Sequence, residues 1–185
     1  MPSTTRAPMP ELGQATVPLS CFIRSAHRHY FSGRAERPGY RMRHYEFAGT
    51  PAVMPLVRAF LDTCAADQSS DYRYLFTLLG SELANNAICH SLSGRPGGSY
   101  VLKVERNREG LRLTCRDLGG LCERDVHLAP SPDGLDLGAE SGRGLALVDA
   151  LASEWGYNGN AQYRSVWFHL AYDLAGSSWN TLTTS

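Results

Sequence analysis

The chain has 185 residues, of which 43% are hydrophobic and 19% are charged, enough for one domain with a substantial core. Basic and acidic residues number 18 each, so the overall charge gives no electrostatic signature of nucleic acid or of an anionic membrane. The five cysteines are never spaced as CxxC, which favours reduced thiols. Because the sequence has neither a bilayer-spanning apolar run nor the apolar segment of a signal peptide, we expect a soluble, cytoplasmic protein.

The N-terminal part of the chain predicts a leader, one strand and two helices. Residues 1–42 carry many prolines, arginines and histidines, and we expect an irregular or disordered leader there. HYEFAG predicts a strand that ends at Gly49, after which Pro51 can open the helix AVMPLVRAFLDTCAA. SSDYRYLFTLLGSELANNAICHSLSG predicts a second helix, with an N-cap at one of positions 69–71 and Gly94 as its stop.

The C-terminal part predicts three more ordered elements and a loop. SYVLKVERN and LRLTCRD alternate around REG, which indicates an antiparallel hairpin. A stretch of about 25 residues rich in glycine, proline and acids, LGGLCERDVHLAPSPDGLDLGAESGRG, predicts a functional loop. LALVDALASEW then predicts a helix with Val148, Leu151 and Trp155 on one stripe, YNGN a turn, and YRSVWFHLAYD a closing strand.

The order of these elements predicts the fold class. Helices before and after a run of antiparallel strands indicate an α+β fold, a two-layer α/β sandwich rather than a parallel βαβ sheet. We place the folded domain at residues 43–173, between the leader and a polar tail at residues 174–185.

Two polar residues of the second helix lie where its apolar face should be. At about 100° per residue from Leu75, an arc that contains Leu79 and Leu83 also contains Glu82 and Asn86, at about 340° and 20°. Burying an unpaired carboxylate is costly, so Glu82 needs a partner or a water-filled pocket. The i, i+4 spacing makes the two side chains project together.

A second acid is expected on the inner face of the sheet. Alternation along LRLTCRD puts Asp117 on the same face as Leu113 and Cys115. Gly119 and Gly120 follow, where the chain can turn sharply and a ligand can approach the backbone.

The glycines of SGRGL stand at the start of a helix, where backbone N–H groups can bind phosphate. Together these features suit a nucleotide with Mg²⁺. The side-chain oxygen of Asn86 could bind the metal, since Mg²⁺ prefers oxygen ligands. Glu82 could accept a proton from an attacking hydroxyl, and Asp117 a hydrogen bond from an exocyclic amine such as that of adenine.

The segments SELANNAICHS, CRDLGG and ESGRGLALVDALASEWG, in that order, resemble the N, G1 and G2 boxes of the GHKL ATPase superfamily. The resemblance runs from about Arg43 to Tyr172 and is greatest to the small anti-sigma-factor serine kinases. It implies the Bergerat-type sandwich with a mixed, mainly antiparallel sheet, ATP bound between the helices, and a flexible ATP lid.

The resemblance also implies a role for each matching residue. Glu82 matches the catalytic base, Asn86 the Mg²⁺ ligand, and Asp117 the adenine-binding aspartate. Ser165 stands where the family often has a threonine close to that aspartate. The implied ATP-binding residues are Asn86, Asp117, Gly119, Gly142, Arg143, Gly144 and Ser165.

The sequence departs from the family pattern at two places. Gly120 follows Gly119 immediately, and Leu121 takes the place of the usual second glycine of the G1 box. Glu140 stands where some anti-sigma kinases have an arginine that reaches the terminal phosphate, so we expect phosphoryl transfer either to be slow or to rely on Arg143.

The resemblance implies an anti-sigma-type serine/threonine protein kinase that regulates transcription by partner switching. Such a kinase phosphorylates a serine of an anti-anti-sigma antagonist and otherwise sequesters a sigma factor, without direct contact to nucleic acid or membrane. A homodimer would suit the family. The alternative is a nucleotide-binding regulatory module that interacts with proteins and transfers no phosphate. A histidine-kinase catalytic domain is disfavoured, since we expect the segment before the first strand to be too short for its dimerisation hairpin.

Overall fold

A computed structural model of the chain describes residues 23–35, 39–120, 143–160, 162–175 and 179. These residues form a five-stranded sheet and three α-helices. In chain order the elements are β1 (Met42–Ala48), α1 (Met54–Cys64), α2 (Ser70–His90), β2 (Ser99–Arg106), β3 (Gly110–Asp117), α3 (Arg143–Leu151), β4 (Glu154–Asn160) and β5 (Tyr163–Ala171). None of the helices in these ranges has the length and apolar character needed to cross a membrane.

The sheet has the strand order β1-β2-β3-β5-β4, and each neighbouring pair among the described strands is antiparallel. Helix α2 lies against β2, β3 and β5 and also contacts α1 and α3. Strand residues alternate between buried and more exposed positions, so that Val166, Phe168 and Leu170 of β5 enter the core. This arrangement confirms the predicted α+β, two-layer sandwich.

Both long helices begin close to their predicted positions. A 3₁₀ turn at Pro51–Val53 precedes α1, and Pro55 lies in the first turn of α1, where a missing N–H breaks no helical hydrogen bond. Ser69 caps α2, because its hydroxyl accepts a hydrogen bond from the N–H of Tyr72 at 3.3 Å.

Helix α2 ends at His90, before the predicted stop at Gly94. Ser91 has an extended backbone, and its hydroxyl donates to the carbonyl of Ala87 at 2.7 Å, which satisfies one of the free carbonyls at the helix end. Gly94 instead closes a 3₁₀ turn over Leu92–Gly94. The side chain of a serine therefore replaces the glycine stop that the sequence predicted.

The prediction that Trp155 lies on the third helix is wrong. Helix α3 ends at Leu151, and Trp155 belongs to the edge strand β4, which the sequence analysis missed. The predicted turn YNGN is also part of β4. A Cβ at Gly156, just before it, would lie 2.8 Å from the indole of Trp167, so glycine allows close strand contact. Gly159 has φ of +146°, which accommodates the end of the strand.

The described part of the expected leader packs on the domain. Ile23 and Phe31 are only 3% and 7% exposed, on either side of a 3₁₀ helix at Ser25–Tyr30. The ring of Phe31 lies edge-on to Tyr45, with centroids 5.0 Å apart. The folded unit therefore extends at least to Ile23, because aromatic rings of the leader complete the core beside β1. Residues 1–22 lie outside the described ranges.

Candidate ATP site

Helix α2 carries Glu82 and Asn86 on the side that faces the rest of the domain. Both residues are half-buried, whereas Leu79, Leu83 and Ala87 around them are buried. Neither polar side chain forms a hydrogen bond with another described residue, and none of their polar atoms is both buried and unpaired. The carboxylate and the amide are therefore accessible, one helical turn apart, at the edge of the core.

The start of α3 lies directly over Glu82. A Cβ placed on Gly144 would be 2.7 Å from Oε2 of Glu82 and 3.2 Å from its Cβ. Glycine thus lets the start of α3 approach Glu82 this closely without displacing its side chain. Gly142 and the side chain of Arg143, the neighbouring predicted phosphate ligands, lie outside the described part of the structure.

Asp117 ends β3 on its inner face and is 6% exposed. Its Oδ1 accepts a hydrogen bond from the N–H of Gly119 at 2.7 Å. Gly119 has φ of +73°, a left-handed conformation that favours glycine. The carboxylate and the following turn thus form one compact unit, with the thiol of Cys115 behind it. Burial raises the pKa of Cys115, so this thiol is neutral at physiological pH.

The residue opposite Asp117 on β5 is Arg164, and the two form a buried ion pair. Nε of Arg164 donates to Oδ1 of Asp117 at 3.3 Å, and Nη2 donates to Oδ2 at 3.2 Å. Nη2 also donates to the main-chain carbonyl of His90 at 2.6 Å. One guanidinium therefore links β5, β3 and the last residue of α2.

The predicted placement of Ser165 near Asp117 is wrong. Ser165 pairs with Arg116 and lines a cleft on the outer face of the sheet with Trp167 and Asn158. Side chains alternate along a strand, so a shift of one residue exchanges the two faces. The inward positions of Val166, Phe168 and Leu170 already imply an inward residue 164, and that alternation was the signal that could have identified Arg164.

A buried serine joins the end of α2 to the end of β3. Ser93 is fully buried, and its hydroxyl donates to the carbonyl of Ser99 at 2.6 Å and accepts the N–H of Leu118 at 3.0 Å. The N–H of Leu92 donates to the carbonyl of Gly119 at 2.8 Å. These bonds hold the Asp117 turn at a fixed position relative to the helix that carries Glu82 and Asn86. The sequence analysis missed Ser93.

A comparison of the sequence with profiles of known protein families identifies the family of this domain. The sequence profile described as the histidine kinase-like ATPase domain matches residues 47–170, which include α2, the Asp117 turn and the start of α3. The chain belongs to the histidine kinase-like ATPase domain family. No curated protein matches the chain closely enough to count as a relative.

Membership in the histidine kinase-like ATPase domain family makes this an ATP-binding GHKL-type domain. The described residues of the domain contain no group of three or more His, Cys, Asp or Glu side chains that would hold a metal by themselves. Mg²⁺ usually takes only one or two ligands from protein beside the phosphates and waters. The accessible amide of Asn86 fits that requirement, and Asp117 fits an amine of the base as a hydrogen-bond acceptor.

Proposed function

We propose that this domain is an anti-sigma-type serine/threonine protein kinase that regulates transcription by partner switching. Its substrate is a serine of an anti-anti-sigma protein, and its second partner is a sigma factor. The proposal is supported most by the carboxylate of Glu82, which is half-buried, forms no hydrogen bond with another described residue and lies against Gly144 at the start of α3. A base that is not already paired can accept the proton of an attacking hydroxyl.

Each residue of the site has a part in this reaction. Asp117 accepts a hydrogen bond from the amine of adenine, and Asn86 would hold Mg²⁺, which would balance the charge of the phosphates. The serine oxygen of the substrate attacks the terminal phosphorus of ATP, Glu82 takes the hydroxyl proton, and ADP leaves. The balanced outcome is a phosphoserine on the partner protein, ADP and one proton.

Transfer of the labelled terminal phosphate of ATP to an anti-anti-sigma protein tests the proposal. Glu82→Gln should lower transfer at least about 100-fold, the lower range for the loss of a general base, while ATP affinity stays within about threefold. The matched control is Glu109→Gln, the same change at an exposed turn residue, which should leave transfer unchanged. Equal transfer by wild type and Glu82→Gln would contradict the role of Glu82.

A second candidate is a nucleotide-binding regulatory module that transfers no phosphate. The observation in its favour is Glu140, which stands where some anti-sigma kinases have a phosphate-contacting arginine. The same experiment separates the two candidates. Tight ATP binding with no transfer by the wild type, in the presence of a protein partner that it binds, would support the module.

A further inference from the structure

The hydrogen bonds around Asp117 use the N–H donors that face its carboxylate but leave part of the acceptor capacity of the carboxylate free. The edge of the Arg164 guanidinium that faces Asp117 has three N–H groups, one on Nε and two on Nη2. Two of them donate to the carboxylate of Asp117 and one to the carbonyl of His90. The N–H of Gly119 is also taken, by Oδ1 of Asp117. What remains is the acceptor capacity of the carboxylate, chiefly on Oδ2, which accepts only one of these bonds.

Arg164 is also held firmly in this position. Its side chain is 8% exposed, and its shortest contact, 2.6 Å, is to the His90 carbonyl rather than to the carboxylate. The positive charge of the guanidinium lies against the carboxylate of Asp117 and balances its negative charge. The ion pair thus fixes the orientation of both carboxylate oxygens, and a carboxylate accepts hydrogen bonds and donates none.

We propose that Arg164 is the residue that determines base specificity, because it holds Asp117 as an acceptor-only group that selects a 6-amino purine over a 6-oxo purine. This inference rests on the proposed ATP site and assigns to Arg164 the place beside Asp117 that was predicted for Ser165. Arg164 acts through Asp117 and is a positioning residue.

The selection follows from the chemistry at C6 of the base. The amine of adenine can donate to Oδ2 of Asp117, whereas the oxygen of a 6-oxo purine in the same pose meets a carboxylate with no proton to donate. The N–H groups on the edge of Arg164 that faces Asp117, and the N–H of Gly119, are engaged and do not compensate. Without the cation, the buried carboxylate of Asp117 loses its counter-charge and two of its three hydrogen bonds, so it can turn away from the base and the preference for the amine falls.

The test compares ATP with inosine triphosphate, which differs from ATP at C6 and in the protonation of N1. Calorimetric titrations with Mg²⁺ would give both dissociation constants for wild type, Arg164→Gln, Arg164→Lys and the control Arg116→Gln. Arg116 neighbours Asp117 in sequence but lies exposed on the outer face, over the ring of Tyr163. It therefore reports on the loss of one positive charge near the site.

We expect the wild type to prefer ATP at least about tenfold, the range for one hydrogen bond to a charged group. Arg164→Gln should reduce this preference about fivefold or more, Arg164→Lys should retain at least half of it, and Arg116→Gln should equal wild type. In an Asp117→Asn background, Arg164→Gln should change the preference no further, because the arginine acts through the carboxylate.

The outcomes separate this inference from the proposed function. If the wild type binds neither triphosphate, the ATP site itself is wrong, and the inference falls with it. If the wild type prefers ATP but folded Arg164→Gln keeps that preference, or if the wild type binds both equally, only the role of Arg164 is overturned. Circular dichroism reports folding. If Arg164→Gln does not fold, Arg164→Lys decides, since loss of the preference despite a retained charge contradicts the proposal.

Discussion

Asn85 and Asn86 are adjacent amides with different surroundings. Asn85 is exposed and accepts a contact from the thiol of Cys89, whereas Asn86 is half-buried on the face that carries Glu82. The metal-ligand role that we propose therefore fits Asn86 and not Asn85. This pair provides its own control, because one substitution can be made at both positions.

We expect Asn86→Ala to lower ATP affinity in Mg²⁺ by about tenfold or more, the usual loss when a contact to a charged group is removed. Affinity measured with a chelator should change little, since the side chain acts through the metal. Calorimetric titration with and without Mg²⁺ measures both. Asn85→Ala should behave as wild type, and an equal loss in both variants would contradict the assignment.

The contact between α2 and α3 depends on the absence of a side chain at Gly144. A methyl group on Gly144 would lie 2.7 Å from Oε2 of Glu82 and 3.2 Å from its Cβ, so Gly144→Ala must turn the carboxylate of Glu82 aside and shift the two helices slightly apart. We expect a loss of about 1 kcal/mol in the free energy of unfolding, the low end of the overpacking range because the carboxylate of Glu82 can turn, measured by urea denaturation.

The cause of that loss can be separated from a general effect of alanine. Gly39→Ala is the control, since a Cβ there has nothing within 4 Å. In a Glu82→Ala background the penalty of Gly144→Ala should fall, because the obstructing carboxylate is gone. An unchanged penalty would show that the two residues do not meet.

The segment before β1 contributes a buried aromatic ring to the core of the domain. The ring of Phe31 is buried against Tyr45 and lies 6.2 Å, centroid to centroid, from that of Phe60 in α1. Phe31→Ala should therefore lower the free energy of unfolding by about 3–5 kcal/mol, the usual cost at a core phenylalanine. Met42→Ala, at a residue 51% exposed, is the control and should change it by less than about 1 kcal/mol. A loss below about 1 kcal/mol for Phe31→Ala would contradict this packing.

Local patterns predicted most of the helices and strands because the apolar residues of each one recur at its own period. The apolar arc of α2 persists over several helical turns, and the alternation of β3 and β5 over most of each strand, so both the burial pattern and the type of element follow from the spacing of apolar residues. Strand β4 was missed because Trp155 continues the apolar stripe of α3 and YNGN resembles a turn, whereas Gly156 packs against the indole of Trp167 and Gly159 lies next to the last residue of the strand. Neither reason is visible within the segment itself.

The sequence by itself determined the α+β class, the placement of Glu82 and Asn86 on one helical face, and the inward direction of Asp117, since each depends on residues near in the chain. Only the tertiary structure decided that Arg164 faces Asp117, that Gly144 meets Glu82, and that Ser93 joins α2 to β3. These contacts depend on strand register and helix packing between distant segments. A pattern within one segment specifies its inner face, but not which partner that face meets.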